Sequence, residues 1–371
     1  MKTRTEISRG RAAEPAVQPA SPSYRVVQLS ELLAFPFDLN ARDQVAFTEI
    51  AGTGRNAKFY DGSTVRDLGT LGGANAEAVA TNDVAQVVGY SNFDATERFH
   101  AFQWSKETGM VDLGTLPGTV ESRANDNNLQ GEVVGTAHLA DPETPSRLVL
   151  WRPGSGPLDL GLERGVVLGP KITDATQVGG STLDREGRQQ AFSWTRTGGA
   201  VLLRGRGILS SDFRDMNASG QITGAFDPSD GSGFRGYLWT PRRSFVVLAG
   251  DLRPVPFGLN DRGMVVGVLF LTQSAFVWTR EEGAIEIGLP GEFSNAYEVN
   301  NFSQVVGQAA DANGDYAFIW TREDGLIDLN TRLRNPPAGL KLVIARQIND
   351  RGSILASSNI GAPYLLLPLP N

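Results

Sequence analysis

Apolar and polar residues alternate in short runs along most of this chain, and the runs come in sets of four. From position 297, YEVN (297–300) and QVVGQA (304–309) flank the turn NFS, and the loop DANGD (311–315) leads into YAFIWT (316–321). The sequence Glu-Asp-Gly then precedes a fourth run, LIDL (326–329). Successive side chains of a strand point to opposite faces, so alternation of this kind predicts short, half-buried strands. Gly, Asn, Asp or Pro marks the boundaries, supplying the backbone geometries that tight turns require. Nowhere do ten residues place apolar side chains at i, i+3, i+4 and i+7, so helices are not the main element.

The set recurs along the chain. An Asn followed by a run like Gln-Val-Val-Gly anchors copies at Asn40, Asn82, Asn128, Thr173, Asn217, Asn260, Asn300 and Asn349, spaced by 42, 46, 45, 44, 43, 40 and 49 residues. A four-stranded sheet of this size cannot cover both its faces, so the copies must pack side by side around an axis. The predicted fold is all-β: an eight-bladed β-propeller of four-stranded antiparallel blades. A parallel β-helix has much shorter coils, and helical solenoids fail for want of helical periodicity.

The eighth copy, from Gln347, contains only three strands, whereas YRVVQLSEL (24–32) precedes the first anchor as a strand without a sheet. We therefore expect the N-terminal strand to complete the last blade, closing the ring and removing an exposed edge. Residues 24–371 then form a single domain. Residues 1–23, rich in Ala, Pro, Ser and charge and lacking an apolar core, are expected to be a disordered tail or trimmed leader rather than a signal peptide.

Composition narrows the function classes. The 43 Gly and 20 Pro suit a turn-rich fold. There is no Cys, and His100 and His138 are the only histidines, so no disulfide, metal or cofactor is expected. The net charge is −7 with Lys and Arg scattered, which argues against a nucleic-acid partner. No apolar run approaches the roughly 20 residues of a membrane helix, so no membrane insertion is expected, and the chain as written reads as a soluble, cytoplasmic monomer.

Gly-Tyr at 89–90, His-Ala-Phe-Gln-Trp at 100–104, Asp-Leu-Gly-Thr-Leu-Gly-Gly at 67–73 and Asp-Leu-Gly-Thr-Leu-Pro-Gly at 112–118 resemble the HAF-repeat family of bacterial probable extracellular repeat proteins. The resemblance runs from about Phe37 to the C-terminus. It implies repeated β-structure and an extracellular location, and it carries no catalytic residues. Only one copy keeps the histidine, so His100 reads as a blade position that tolerates variation. Trp104, Trp151, Trp194, Trp239, Trp278 and Trp320 share one register, filled by Tyr60 and Leu365 in the end copies, and are expected to pack between sheets.

Function is sought where the copies differ. Two residues before the anchors stand Asp38, Ala80, Asp126, Lys171, Asp215, Gly258, Glu298 and Gln347, next to a mostly apolar column. Carboxylates crowded near a narrow axis raise one another's pKa, or else they bind water and backbone amides in the channel. Five before the anchors are Glu77, Arg123, Asp212 and Asn295, with Arg214 and Arg346 slightly further in; these suit an acidic or sugar-like ligand, or salt bridges between blades. Leu269, Phe270 and Leu271 form an apolar rim patch or tuck beneath longer loops. DPSDGSG (227–233) and DANGD lack the ligand spacing of calcium loops and read as Asx turns. The first reading is a non-catalytic module presenting a cup or rim to a protein, glycan or small molecule. The second is a metal-free lyase, cyclase or hydrolase with its site at the channel mouth, Asp126, Asp215 or Glu298 transferring protons and Arg123 or Arg214 orienting substrate.

Overall fold

A computed structural model of the protein describes residues 22–93, 98–141, 144–162, 165, 168–205, 207–241, 244–248 and 252–370. Most of the expected tail, residues 1–21, lies outside the described residues. The strands form eight sheets, each starting at an inner strand that lines the channel and running outward. The inner strands are Ala34–Leu39, Ala76–Thr81, Glu121–Asn127, Leu168–Ile172, Ile208–Ser211 with Asp215–Met216, Pro254–Leu259, Ser294–Val299 and Leu342–Ile348, in blades 1 to 8. The fold is the eight-bladed β-propeller that the repeats predict. No helix among the described residues is long and apolar enough to cross a membrane.

Ring closure follows the expected pairing. Tyr24–Gln28 runs antiparallel to Pro363–Pro368, with Tyr24 opposite Pro368 and Gln28 opposite Tyr364. A further short strand not foreseen in the sequence, Leu333–Arg334, lies parallel to Tyr24 and Arg25 and covers the outer edge.

Among the described residues there is no single central core. Eight apolar clusters each join two neighbouring blades, as where Phe59 and Leu68 of blade 1 meet Val87, Phe102 and Trp104 of blade 2. The tryptophan column is part of this packing: Trp104 lies 5.7 Å from Phe59, ring to ring, and Trp151 is 2% exposed.

The anchor asparagine has a double duty that explains its recurrence. Asn82 Oδ1 accepts the amides of Val84 and Gln86, shaping its own turn, while its Nδ2 donates to Asn128 O of the next blade at 2.9 Å. The same bond joins Asn40 to Asn82, Asn128 to Thr173, Asn217 to Asn260, Asn260 to Asn300, Asn300 to Asn349 and, across the closure, Asn349 to Asn40. Thr173 cannot donate this way, and Gln177 Nε2 takes over, reaching Gly220 O at 3.0 Å.

Candidate functional site

Each inner strand descends from the rim, where outer strands return to inner ones, to the turn bearing the anchor. A register shift interrupts nearly all of them three residues before the anchor: Ala124 pairs with Gly135 but Asp126 with Val134, leaving Asn125 without a partner. Equivalent shifts occur at Phe37, Val79, Phe257, Tyr297 and Arg346. A bulge inserts one extra residue, so in these blades the positions two and three before the anchor face the channel while one and four before it face the blade interface. The buried Ala78, Ala124, Pro256, Ala296 and Ala345 occupy the fourth position.

The second position forms the lower channel, close to the anchor turns. Lys171 Nζ donates to Asp215 Oδ1 at 2.6 Å and also feels the charges of Glu298 and Asp126, which raises its pKa. Asp38 Oδ2 accepts the amide of Thr81, Asp126 Oδ2 that of Ile172 and Asp215 Oδ2 that of Leu259, each at 2.8 Å and each in a different blade. Three of the carboxylates are therefore clips between blades. Gln347 closes the series by donating to Phe37 O at 3.2 Å.

Burial, then the charge of Asp38, raises Asp126 to a pKa of about 7, opposed by the Ile172 amide and Lys171. Burial and then the Asp215 charge raise Glu298 to about 8, opposed by Lys171. Both pKa values exceed the ordinary unfolded range near 4, so the folded state holds the extra protons. Stability from these groups is full below about pH 4 and falls as pH rises through 7 to 8. Lys171, raised above its usual value, contributes a loss only in strong alkali. We expect a fall of about 1–2 kcal/mol between pH 5 and pH 8.5, allowing for screening by water in the channel. Urea titrations at the two pH values check this, and Asp126→Asn with Glu298→Gln should flatten the difference.

The rim half carries the opposite character. Glu77 is buried and pairs with Arg55, and Tyr90, its pKa raised by burial and by its hydrogen bond to Glu77, lies beneath Arg123. The Arg123 guanidinium sits 5.0 Å from the Tyr90 ring centre and 5.2 Å from that of Phe99, and its Nε is buried without a partner. In blades 7 and 8, Arg346 lies 6.0 Å over Tyr297, which stacks on Phe257 at 5.8 Å. Asn295 Nδ2 donates to Tyr297 Oη at 3.3 Å. Asp212 and Arg214 pair with each other at 2.8 Å and, with Phe270, line a separate groove between blades 5 and 6.

The candidate residues thus fall into three places: Asp126, Lys171, Asp215 and Glu298 near the anchor turns; Glu77, Arg123, Asn295 and Arg346 near the rim; Asp212, Arg214 and Phe270 in the groove. The channel aromatics Phe37, Phe257 and Tyr297 went unnoticed in the sequence. Their common signal is the column three before the anchors, which strict alternation assigns to the core. Of the apolar trio, Leu269 is buried at 2% exposure, whereas Phe270 and Leu271 are 46% and 55% exposed. The loops read as Asx turns are closed by their own aspartates: the Ser232 amide donates to Asp230 Oδ1 and the Asn313 amide to Asp311 Oδ1.

No known family model matches the chain, and no curated protein matches it. Solved structures do. Dipeptidyl peptidase 4 of Porphyromonas gingivalis superposes with a TM-score of 0.55 at 12% identity over 85% of this chain and 55% of its own. A puromycin hydrolase S511A mutant complexed with PGG gives 0.52 at 12% identity, covering 89% of this chain and 58% of that one. A puromycin-hydrolyzing peptidase of Mycobacterium tuberculosis gives 0.51 at 14% identity, over 88% and 58%. The chain therefore spans little more than half the length of these three proteins, and at such identity what it shares with them is the β-propeller fold.

Proposed function

We propose that the protein is a non-catalytic binding module that holds an anionic, sugar-like ligand in the rim half of its channel. The observation that carries this reading is the pairing of guanidinium groups with ring faces on opposite sides of the channel. Arg123 lies over Tyr90 and Phe99 in one place, and Arg346 over the stacked Tyr297 and Phe257 in the other. Arg346 has no carboxylate within ion-pair distance among the described residues, and Arg123 meets only Glu121, at 3.9 Å. Planar guanidinium donors suit the carboxylate or sulfate groups of an acidic sugar, and the rings beneath hold those donors in place. Thermal-shift and calorimetric titrations with uronate and sulfated disaccharides, against neutral disaccharides, test it. The acidic sugars should bind, and Arg346→Met and Tyr297→Ala should each weaken binding about 10–100-fold. Binding of neutral sugars alone would overturn the reading.

The enzyme reading rests on one specific observation, that the elevated carboxyls of Asp126 and Glu298 share the lower channel with Lys171. They lie about three residues, roughly 7–10 Å, below Arg123 along the strands. Turnover of an acidic oligosaccharide that disappears in Glu298→Gln would favour that reading.

A further inference from the structure

Blade 5 breaks the repeat, and the break opens a site. Four before its anchor the other blades carry Ala, Pro or Gly, but blade 5 carries Phe213, which is 4% exposed and wedged against blade 4. Room for that ring exists only because residue 179 is glycine; a Cβ there would lie 2.7 Å from the Phe213 ring. The wedge splits the inner strand into Ile208–Ser211 and Asp215–Met216. Beside the split lies a groove of ≈ 390 Å³, within the range of small-molecule sites.

Its walls are unlike the channel's. Phe226, Phe234 and Phe270 supply one side, the last two meeting edge to face at 5.0 Å. On the other side the charges do not balance. The Asp212 carboxylate is fully engaged, taking Arg214 Nε at 2.8 Å and the Ala225 amide at 2.6 Å. Arg214 is thereby neutralised. Asp227 receives only the Ser210 hydroxyl, at 2.9 Å, and no cation lies within ion-pair distance of it among the described residues. The groove thus holds one uncompensated carboxylate facing aromatic rings, an arrangement that attracts a cation through both charge and ring quadrupole.

We propose that this groove is a second binding site, separate from the channel, for an organic ammonium group carried on an apolar or aromatic body. Such a group occurs both in free arylalkyl amines and in lysine side chains of a polypeptide. The acidic net charge of the protein adds long-range attraction for either.

The test uses the full chain and matched probes: phenethylammonium, 3-phenylpropionate as its anionic counterpart, and N-acetyl-Phe-Lys-amide. In calorimetric or ligand-observed NMR titrations, phenethylammonium should bind at least tenfold more tightly than 3-phenylpropionate. Asp227→Asn and Phe270→Ala should each weaken it about tenfold; both positions are exposed, so an unchanged Tm verifies that the fold persists. Tighter binding of the dipeptide would assign a polypeptide source, and comparable binding a free amine, either result supporting the cation site. Equal or tighter binding of 3-phenylpropionate, unaltered affinity in Asp227→Asn, or binding of none of the probes would overturn it. Arg346→Met, which disables the channel site, should leave amine binding unchanged, so the two proposals fail separately.

Discussion

Gly135→Ala is expected to destabilise the protein by ~3 kcal/mol and to disrupt the rim half of the channel at the same time. Gly135 pairs with Ala124 just above the bulge, and an added Cβ would fall inside the Arg123 carbonyl oxygen. Gly89, Gly224, Gly267 and Gly307 face the carbonyls of Glu77, Asp212, Val255 and Asn295 in the same way, so in these five blades the glycine of the second strand makes space for an inner strand that leans over it. The nearest atoms are backbone of Arg123 and Ala124, which no rotamer change can move aside. The side chains that bulge into the channel would be displaced along with the strand. Gly156→Ala is the matched control: nothing lies within 4 Å of the place its new methyl group would take, and the change should stay within about 0.5 kcal/mol. Urea denaturation of the two variants checks both values.

A chain that begins at Ser30 should lose the ring closure, with Tm lowered by at least about 10 °C and association through the bared edge. Tyr24 is fully buried, and Val26 and Val27 pack against the clusters joining blade 8 to its two neighbours. Without this strand, Pro363–Pro368 exposes unpaired backbone groups as a template for another chain. Light scattering and thermal melts check the outcome; supplying a peptide of residues 22–32 should reverse the association.

The architecture was legible because the same physical problem is solved eight times. The anchor, the Gly of the second strand and the tryptophan register each mark a fixed contact, and three strands in the last copy against one at the N-terminus imply closure. Strand starts were less legible: the inner strand expected at 297 begins at Ser294, since Ser, Asn and Ala are weak strand formers. The site was harder to read. Period-two alternation identified Asp126 and Glu298 as channel residues but hid Phe257 and Tyr297, because a bulge leaves no trace in one copy and only the column across copies exposes it. Nor could alternation tell that Asp38, Asp126 and Asp215 are bound to amides of other blades, since those partners are more than 40 residues away.

One titration series with a uronate disaccharide sets the two halves of the channel against each other. Arg346→Met with Tyr297→Ala should abolish binding while leaving Tm nearly unchanged, and Glu298→Gln should bind as the parent does. Retained affinity in the rim variant together with lost affinity in Glu298→Gln would place the ligand among the lower carboxylates and refute the rim site.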